Sequence, residues 1–110
     1  MKHDDVAKLL AELGNPTRLA IFRYLVKAGK AGAPVGRIQE ALEVPGSTLS
    51  HHISRLVGVG LITQERESRT LHCIPQFDVI NNVMSFLMAE CCAGLDGGAA
   101  SETDRKGKVA

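Results

Sequence analysis

Residues 46–57 read Gly46-Ser47-Thr48-Leu49-Ser50-His51-His52-Ile53-Ser54-Arg55-Leu56-Val57, and the rest of the chain is best understood from this stretch outward. At about 100° per residue it separates into two faces. Leu49, Ile53, Leu56 and Val57 recur at i, i+4, i+7 and i+8 and make one apolar stripe. Ser47, Thr48, His51, His52 and Arg55 gather on the other side, which is short-chained and donor-rich near the start and ends in an arginine. Such a face suits a helix lying in the major groove of DNA, where side chains near its N-terminal end reach base edges and phosphates. A solvated face of an ordinary amphipathic helix has the same pattern, so the neighbouring segments decide between the two.

Upstream, Val35 to Leu42 reads as a short helix, and Val44-Pro45-Gly46 as a tight turn, with Ser47 expected to cap the next helix. Short helix, glycine-containing turn and polar-faced helix make a helix-turn-helix layout. Gly58 and Gly60 end it. Downstream, residues 61–66 and 70–74 are expected as strands around a turn at Glu67-Ser68-Arg69, a hairpin inferred from length, turn residues and position. Arg66 and Arg69 would sit at its tip, as in a wing that grips phosphates, or simply in solvent.

Toward the N-terminus, residues 5–13 form an expected amphipathic helix with Asp4 or Asp5 as N-cap and Gly14 as terminator. Asn15 caps a second helix and Pro16 takes its first position, where the missing N–H costs nothing. That helix runs to about Ala28; Leu19, Ile21, Phe22, Leu25 and Val26 cover a broad arc, which places it in the core. Phe77 to Cys92 is the last helix. It is so apolar that a small domain cannot cover it alone, and packing on a second copy is the simplest solution, giving a symmetric homodimer to which the first helix contributes.

At 110 residues the chain is one domain, with room for a single core. Four aromatic residues and no Trp favour an aliphatic, mainly α interior. No apolar run reaches the length of a membrane span, and Met1-Lys2-His3-Asp4-Asp5 lacks the apolar segment of a signal peptide, so a cytoplasmic protein with no membrane partner is expected. Three cysteines, two of them adjacent, do not make a disulfide framework. The net charge is +1, with the basic residues balanced by acidic ones over the folded part. DNA binding must therefore come from local clustering, doubled by dimerisation. The domain is assigned to residues 1–95, and the Gly-, Ala- and charge-rich 96–110 is expected to be a disordered tail.

Taken together, Leu13-Gly14-Asn15-Pro16-Thr17-Arg18-Leu19-Ala20-Ile21, Ser47-Thr48-Leu49-Ser50-His51-His52-Ile53 and Gly60-Leu61-Ile62 resemble the ArsR/SmtB-type metalloregulatory repressors. The likeness covers about residues 5–93. It implies a winged helix-turn-helix of five helices plus a β-hairpin, dimerising through its first and last helices. It also implies that the dimer binds double-stranded operator DNA without ligand and releases it when a metal or metalloid binds. The candidate DNA-binding residues are Ser47, Thr48, Ser50, His51, His52, Arg55, Arg66 and Arg69.

Two familiar sensing sites of that family are missing. Pro34-Val35-Gly36 stands where many arsenic-responsive members have Cys-Val-Cys, and the last helix holds no histidine. Ser68 also replaces the glycine often found at the wing tip. What remains are Leu71-His72-Cys73 and Phe86-Leu87-Met88-Ala89-Glu90-Cys91-Cys92, which are similar to a subset responding to trivalent arsenic, inorganic or methylated, with antimonite as a further candidate.

Soft thiolates select such centres. Cys91 and Cys92 project about 100° apart on a regular helix and chelate poorly there, although a fraying end can adjust. Two sulfurs serve a methylated arsenical; inorganic arsenite takes a third, for which Cys73 is the candidate, unless Cys73 is a small buried core residue. No resident cofactor is required. His51 and His52 read as DNA-facing donors rather than metal ligands. The alternatives are a thiol-redox repressor and a protein-interaction module on the same fold. An enzyme is not expected, since no nucleophile–base–acid set or phosphate-binding glycine loop is present.

Overall fold

The computed structural model describes residues 1–95; the tail expected at 96–110 lies outside the described residues. Five helices and three strands follow in the order α1 (His3–Leu13), α2 (Pro16–Ala28), β1 (Ala33–Pro34), α3 (Val35–Leu42), α4 (Gly46–Gly58), β2 (Ile62–Glu67), β3 (Thr70–Pro75) and α5 (Phe77–Met88). This is the expected winged helix-turn-helix with one addition. Strand β1 pairs antiparallel with β3, so the hairpin becomes a three-stranded sheet of order β1-β3-β2. Two residues carry no period-2 pattern, which is why β1 has no signature in the sequence.

Local chemistry explains most boundaries. The Asn15 side chain accepts from the backbone N–H groups of Thr17 and Arg18 at 2.9 and 3.0 Å, with Pro16 at the first helical position, satisfying two donors that the helix itself leaves open. α1 starts earlier than expected: Lys2 is the N-cap, and Asp4 and Asp5 lie inside the first turn, where their charge opposes the positive helix end. α4 also starts earlier, because Pro45 is extended and its carbonyl already accepts from Leu49 N–H at 2.9 Å. Ser47 is therefore a first-turn residue and caps nothing. At the wing, Glu67 pairs with Thr70, so the turn shrinks to Ser68-Arg69. Ser68 takes a φ of 61°, the positive value that two-residue hairpin turns need at their first central position.

The core is aliphatic. Leu9, Ile21, Leu25, Ile38, Leu49, Leu56, Leu61, Ile62 and Val83 are all fully buried, with Cys73 among them. α2 is less enclosed than its apolar arc suggested: Ile21, Phe22 and Leu25 are buried, while Leu19 and Val26 are exposed. Gly32 seats the start of the sheet. Its φ is 69°, and a Cβ there would fall 2.0 Å from the Cys73 carbonyl oxygen.

The last helix ends four residues sooner than the sequence suggested. It stops at Met88, and Ala89 turns extended. Glu90 and Cys92 have φ of 63° and 62°. Helical structure in proteins persists mainly where packing supports it, and Glu90, Cys91 and Cys92 are all exposed. Within one chain α5 buries only Val83, while Met84, Leu87 and Met88 remain open.

Candidate nucleic-acid interface and thiol pair

α4 is anchored by Leu49, Ile53 and Leu56, each at most 2% exposed. That fixes its rotation and turns Ser47, Thr48, Ser50, His51 and Ser54 to the surface. On one flank, a groove of about 410 Å³ separates the helix from the wing, lined by Val35, Ser50, Ile53, Ser54, Val57, Gln64 and Leu71. Arg66 and Arg69 are exposed on the wing beyond it. Ser50 and Ser54 of the helix line one wall of this groove, and the ribbon that lines the other carries the two exposed arginines. That arrangement can present base-reading donors and phosphate-gripping cations together.

His52 and Arg55 are engaged within the chain. The Arg55 guanidinium donates through Nε to Glu12 Oε1 and through Nη2 to Glu12 Oε2, both at 2.9 Å, a two-pronged fit that matches a carboxylate to a guanidinium fork. Glu12 also meets Arg18, whose Nε lies 3.2 Å from Oε1 and donates to the Glu12 carbonyl oxygen at 2.7 Å. Arg18 Nη1 in turn contacts His52 Nδ1 at 3.1 Å. A guanidinium has no acceptor, so Nδ1 must be the acceptor and the imidazole is neutral with its proton on Nε2. Burial, then the Arg18 charge, then His51 hold the His52 pKa below its ordinary value. The hydrogen-bonded Arg55 guanidinium holds the Glu12 carboxyl below the usual carboxylate range, against an opposing effect of burial.

Nothing local in the sequence marks Glu12 or Arg18 as site residues. Arg18 belongs to the Asn15-Pro16-Thr17-Arg18 motif, but its link to α4 is long-range, and the 43-residue separation of Glu12 from Arg55 leaves no local signal.

The three sulfurs fall in two places. Cys73 is fully buried in β3, opposite Gln64, whose Nε2 donates to its Sγ at 3.9 Å. Burial pushes that thiol up, with the Gln64 contact opposing, and a protonated thiol is a poor nucleophile. Cys91 and Cys92 are exposed just past α5, with their sulfurs 3.0 Å apart. The Cys92 thiol beside it pushes Cys91 above the ordinary thiol range. With bonds of about 2.3 Å, as in metal thiolates, one centre would span these sulfurs at roughly 80°. Among the described residues no group of three or more His, Cys, Asp and Glu side chains is disposed to hold a metal ion. Nor is any helix among them long and apolar enough to cross a membrane.

With this geometry in place, the relatives are informative. Residues 13–65 match the family described as a helix-turn-helix domain. Nodulation protein NolR of Rhizobium meliloti is 30% identical over 89 residues, covering 78% of this chain and 70% of that protein. An ArsR-like transcriptional regulator from Rhodococcus sp. RHA1 superposes with a TM-score of 0.68 at 21% identity, over 77% of each chain, and so shares the fold. The homodimeric winged helix-turn-helix DNA-binding domain of Mb0332 from Mycobacterium bovis gives a TM-score of 0.64 at 26% identity, again over 77% of each chain. The chain belongs to the ArsR family of winged helix-turn-helix transcriptional regulators. It is a DNA-binding regulator and not an enzyme.

Proposed function

We propose that this regulator is a homodimeric repressor that leaves its operator when a trivalent arsenical bridges Cys91 and Cys92. The observation that carries the reading is the pair of exposed sulfurs 3.0 Å apart, directly after a helix whose Met84, Leu87 and Met88 are uncovered. Those apolar side chains, with Leu10 of α1, form the surface on which a second copy would pack; the homodimeric Mycobacterium bovis relative supports this. His3 and Phe86, with ring centroids 6.2 Å apart, tie α1 to α5 on that side.

A ligand at the end of α5 then sits at the subunit seam. Ligation there shifts one recognition helix relative to the other, and the two must match one DNA turn, about 34–36 Å. A tenfold loss of affinity needs a coupling of only about 1.4 kcal/mol. Only two sulfurs converge, which favours a methylated arsenical over inorganic arsenite or antimonite; a third thiol for the latter would be Cys73, and Cys73 is enclosed in the core. The DNA contacts in this reading are Ser47, Thr48, Ser50 and His51 of α4 with Arg66 and Arg69 of the wing, while His52 and Arg55 act from their internal partnerships.

The test is a gel shift on an operator selected from random duplexes, with wild type and Cys91→Ser/Cys92→Ser. Methylarsenite should release wild type and leave the double variant bound. Equal release of both would remove the thiol pair from the mechanism.

A further inference from the structure

Among the described residues, Arg55 and Glu12 hold the one contact on the recognition helix that resembles what a phosphate would offer. The guanidinium is half exposed, with its side chain at 50%, whereas the Glu12 side chain is at 14%. Around them lies an open depression of about 430 Å³ lined by Glu12, His51, Ser54, Arg55, Gly58 and Val59. The pair thus lies beside His51 and Ser54, on the surface that the preceding reading turns toward DNA. A carboxylate binding both prongs of an arginine fork occupies the same donors that a phosphate would take.

We propose that Glu12 is a specificity-determining residue that keeps Arg55 away from DNA phosphates. Phosphate contacts carry no sequence information and supply most non-specific affinity. An arginine free on this face would bind every duplex more tightly and dilute the readout by Ser47, Thr48 and His51. Tying Arg55 to a carboxylate on α1 withholds that contact. Arg18 makes the arrangement durable: it is 13% exposed, its Nε lies 3.2 Å from the same Oε1 and donates to the Glu12 carbonyl oxygen, so the carboxylate stays placed to receive Arg55. The inference rests on α4 facing DNA, but it concerns different residues from those that read bases.

The experiment needs no operator. Fluorescence anisotropy follows binding of a random-sequence duplex of about three helical turns, roughly 30 base pairs, across a salt series. Wild type, Glu12→Gln, Arg55→Gln and the double variant are compared, with circular dichroism melts confirming that each is folded. Releasing Arg55 in both protomers of Glu12→Gln should add two phosphate contacts per dimer, steepening the log–log salt slope by about 1.8. That corresponds to roughly sixtyfold tighter binding at about 0.1 M salt if the contacts are worth nothing at about 1 M. Arg55→Gln alone should leave the slope unchanged, and the double variant should return to it. If Glu12→Gln tightens binding equally with and without Arg55, the effect is bare charge removal and the proposal fails. An unchanged slope in Glu12→Gln also overturns it. Wild type that binds no duplex at any salt would overturn the orientation of α4 as well. Should Glu12→Gln not fold, Glu12→Ala and Arg18→Lys supply the same comparison against Arg55→Gln.

Discussion

Arg18 on α2 donates to the Nδ1 of His52 on α4 at 3.1 Å, which commits a histidine of the recognition helix to the neutral form. The groups around that imidazole are Arg18 itself, His51 on the same helix, and beyond Arg18 the Glu12–Arg55 pair. Its folded pKa lies below the ordinary 6.5, so near that pH the unfolded chain binds more protons than the native one. Stability from this contact is complete above about pH 6.5 and is lost as the pH falls toward the folded value. Melting temperatures measured from about pH 7.5 to pH 5 should fall for wild type. They should fall less for His52→Asn, whose amide oxygen can accept from Arg18 without titrating. Parallel curves for the two proteins would show that His52 does not carry the effect.

The wing arginines are expected to act on affinity rather than sequence choice. Arg66 and Arg69 are exposed, and neither forms an ion pair among the described residues. Replacing either with Ala removes one phosphate contact per protomer of the dimer; it should flatten the log–log salt dependence of DNA binding by about 1.8 and weaken operator and random duplex alike. A variant that changed the preferred sequence at unchanged slope would mean base contact instead.

Gly32 joins the sheet to the helices under tight constraint. Adding a Cβ brings it 2.0 Å from the Cys73 carbonyl oxygen at a φ of 69°, combining overpacking with a left-handed backbone. Gly32→Ala should cost about 2–5 kcal/mol in urea unfolding. A loss under about 1 kcal/mol would mean that β1 moves away freely.

Met84, Leu87 and Met88 are 56%, 58% and 62% exposed on α5, at i, i+3 and i+4 on one face of the helix, the kind of apolar patch that marks an interaction surface. Leu87→Glu should convert a dimer into a monomer in sedimentation experiments. It should also abolish operator binding without lowering the helical content. A Leu87→Glu variant that stayed dimeric would put dimerisation on another face, and a wild-type monomer at micromolar concentration would contradict dimerisation itself.

How far the sequence could be read follows from the range of each interaction. Leu49, Ile53 and Leu56 announced the buried side of α4 by spacing alone, and Asn15-Pro16 announced the start of α2, because capping and periodicity are local. Val57, assigned to the same stripe, is exposed at its edge. Ser47, expected as a cap, is not one, because Pro45 sets the start of α4 two residues earlier. Strand β1 and the end of α5 depend on what lies across from them: β3 in one case, and the loss of packing beyond Met88 in the other. The serines, His51 and the wing arginines were legible as a surface. The Glu12–Arg18–His52–Arg55 cluster was not, since it forms only when α1, α2 and α4 come together.

The most direct test is a titration of methylarsenite into the reduced complex of the regulator with its operator, followed by fluorescence anisotropy of the labelled DNA. Release should finish near one arsenical per Cys91–Cys92 pair, and Cys73→Ser should behave as wild type while Cys91→Ser/Cys92→Ser stays bound. Full release of that double variant at the same stoichiometry, or no release of wild type at all, would contradict control by the thiol pair.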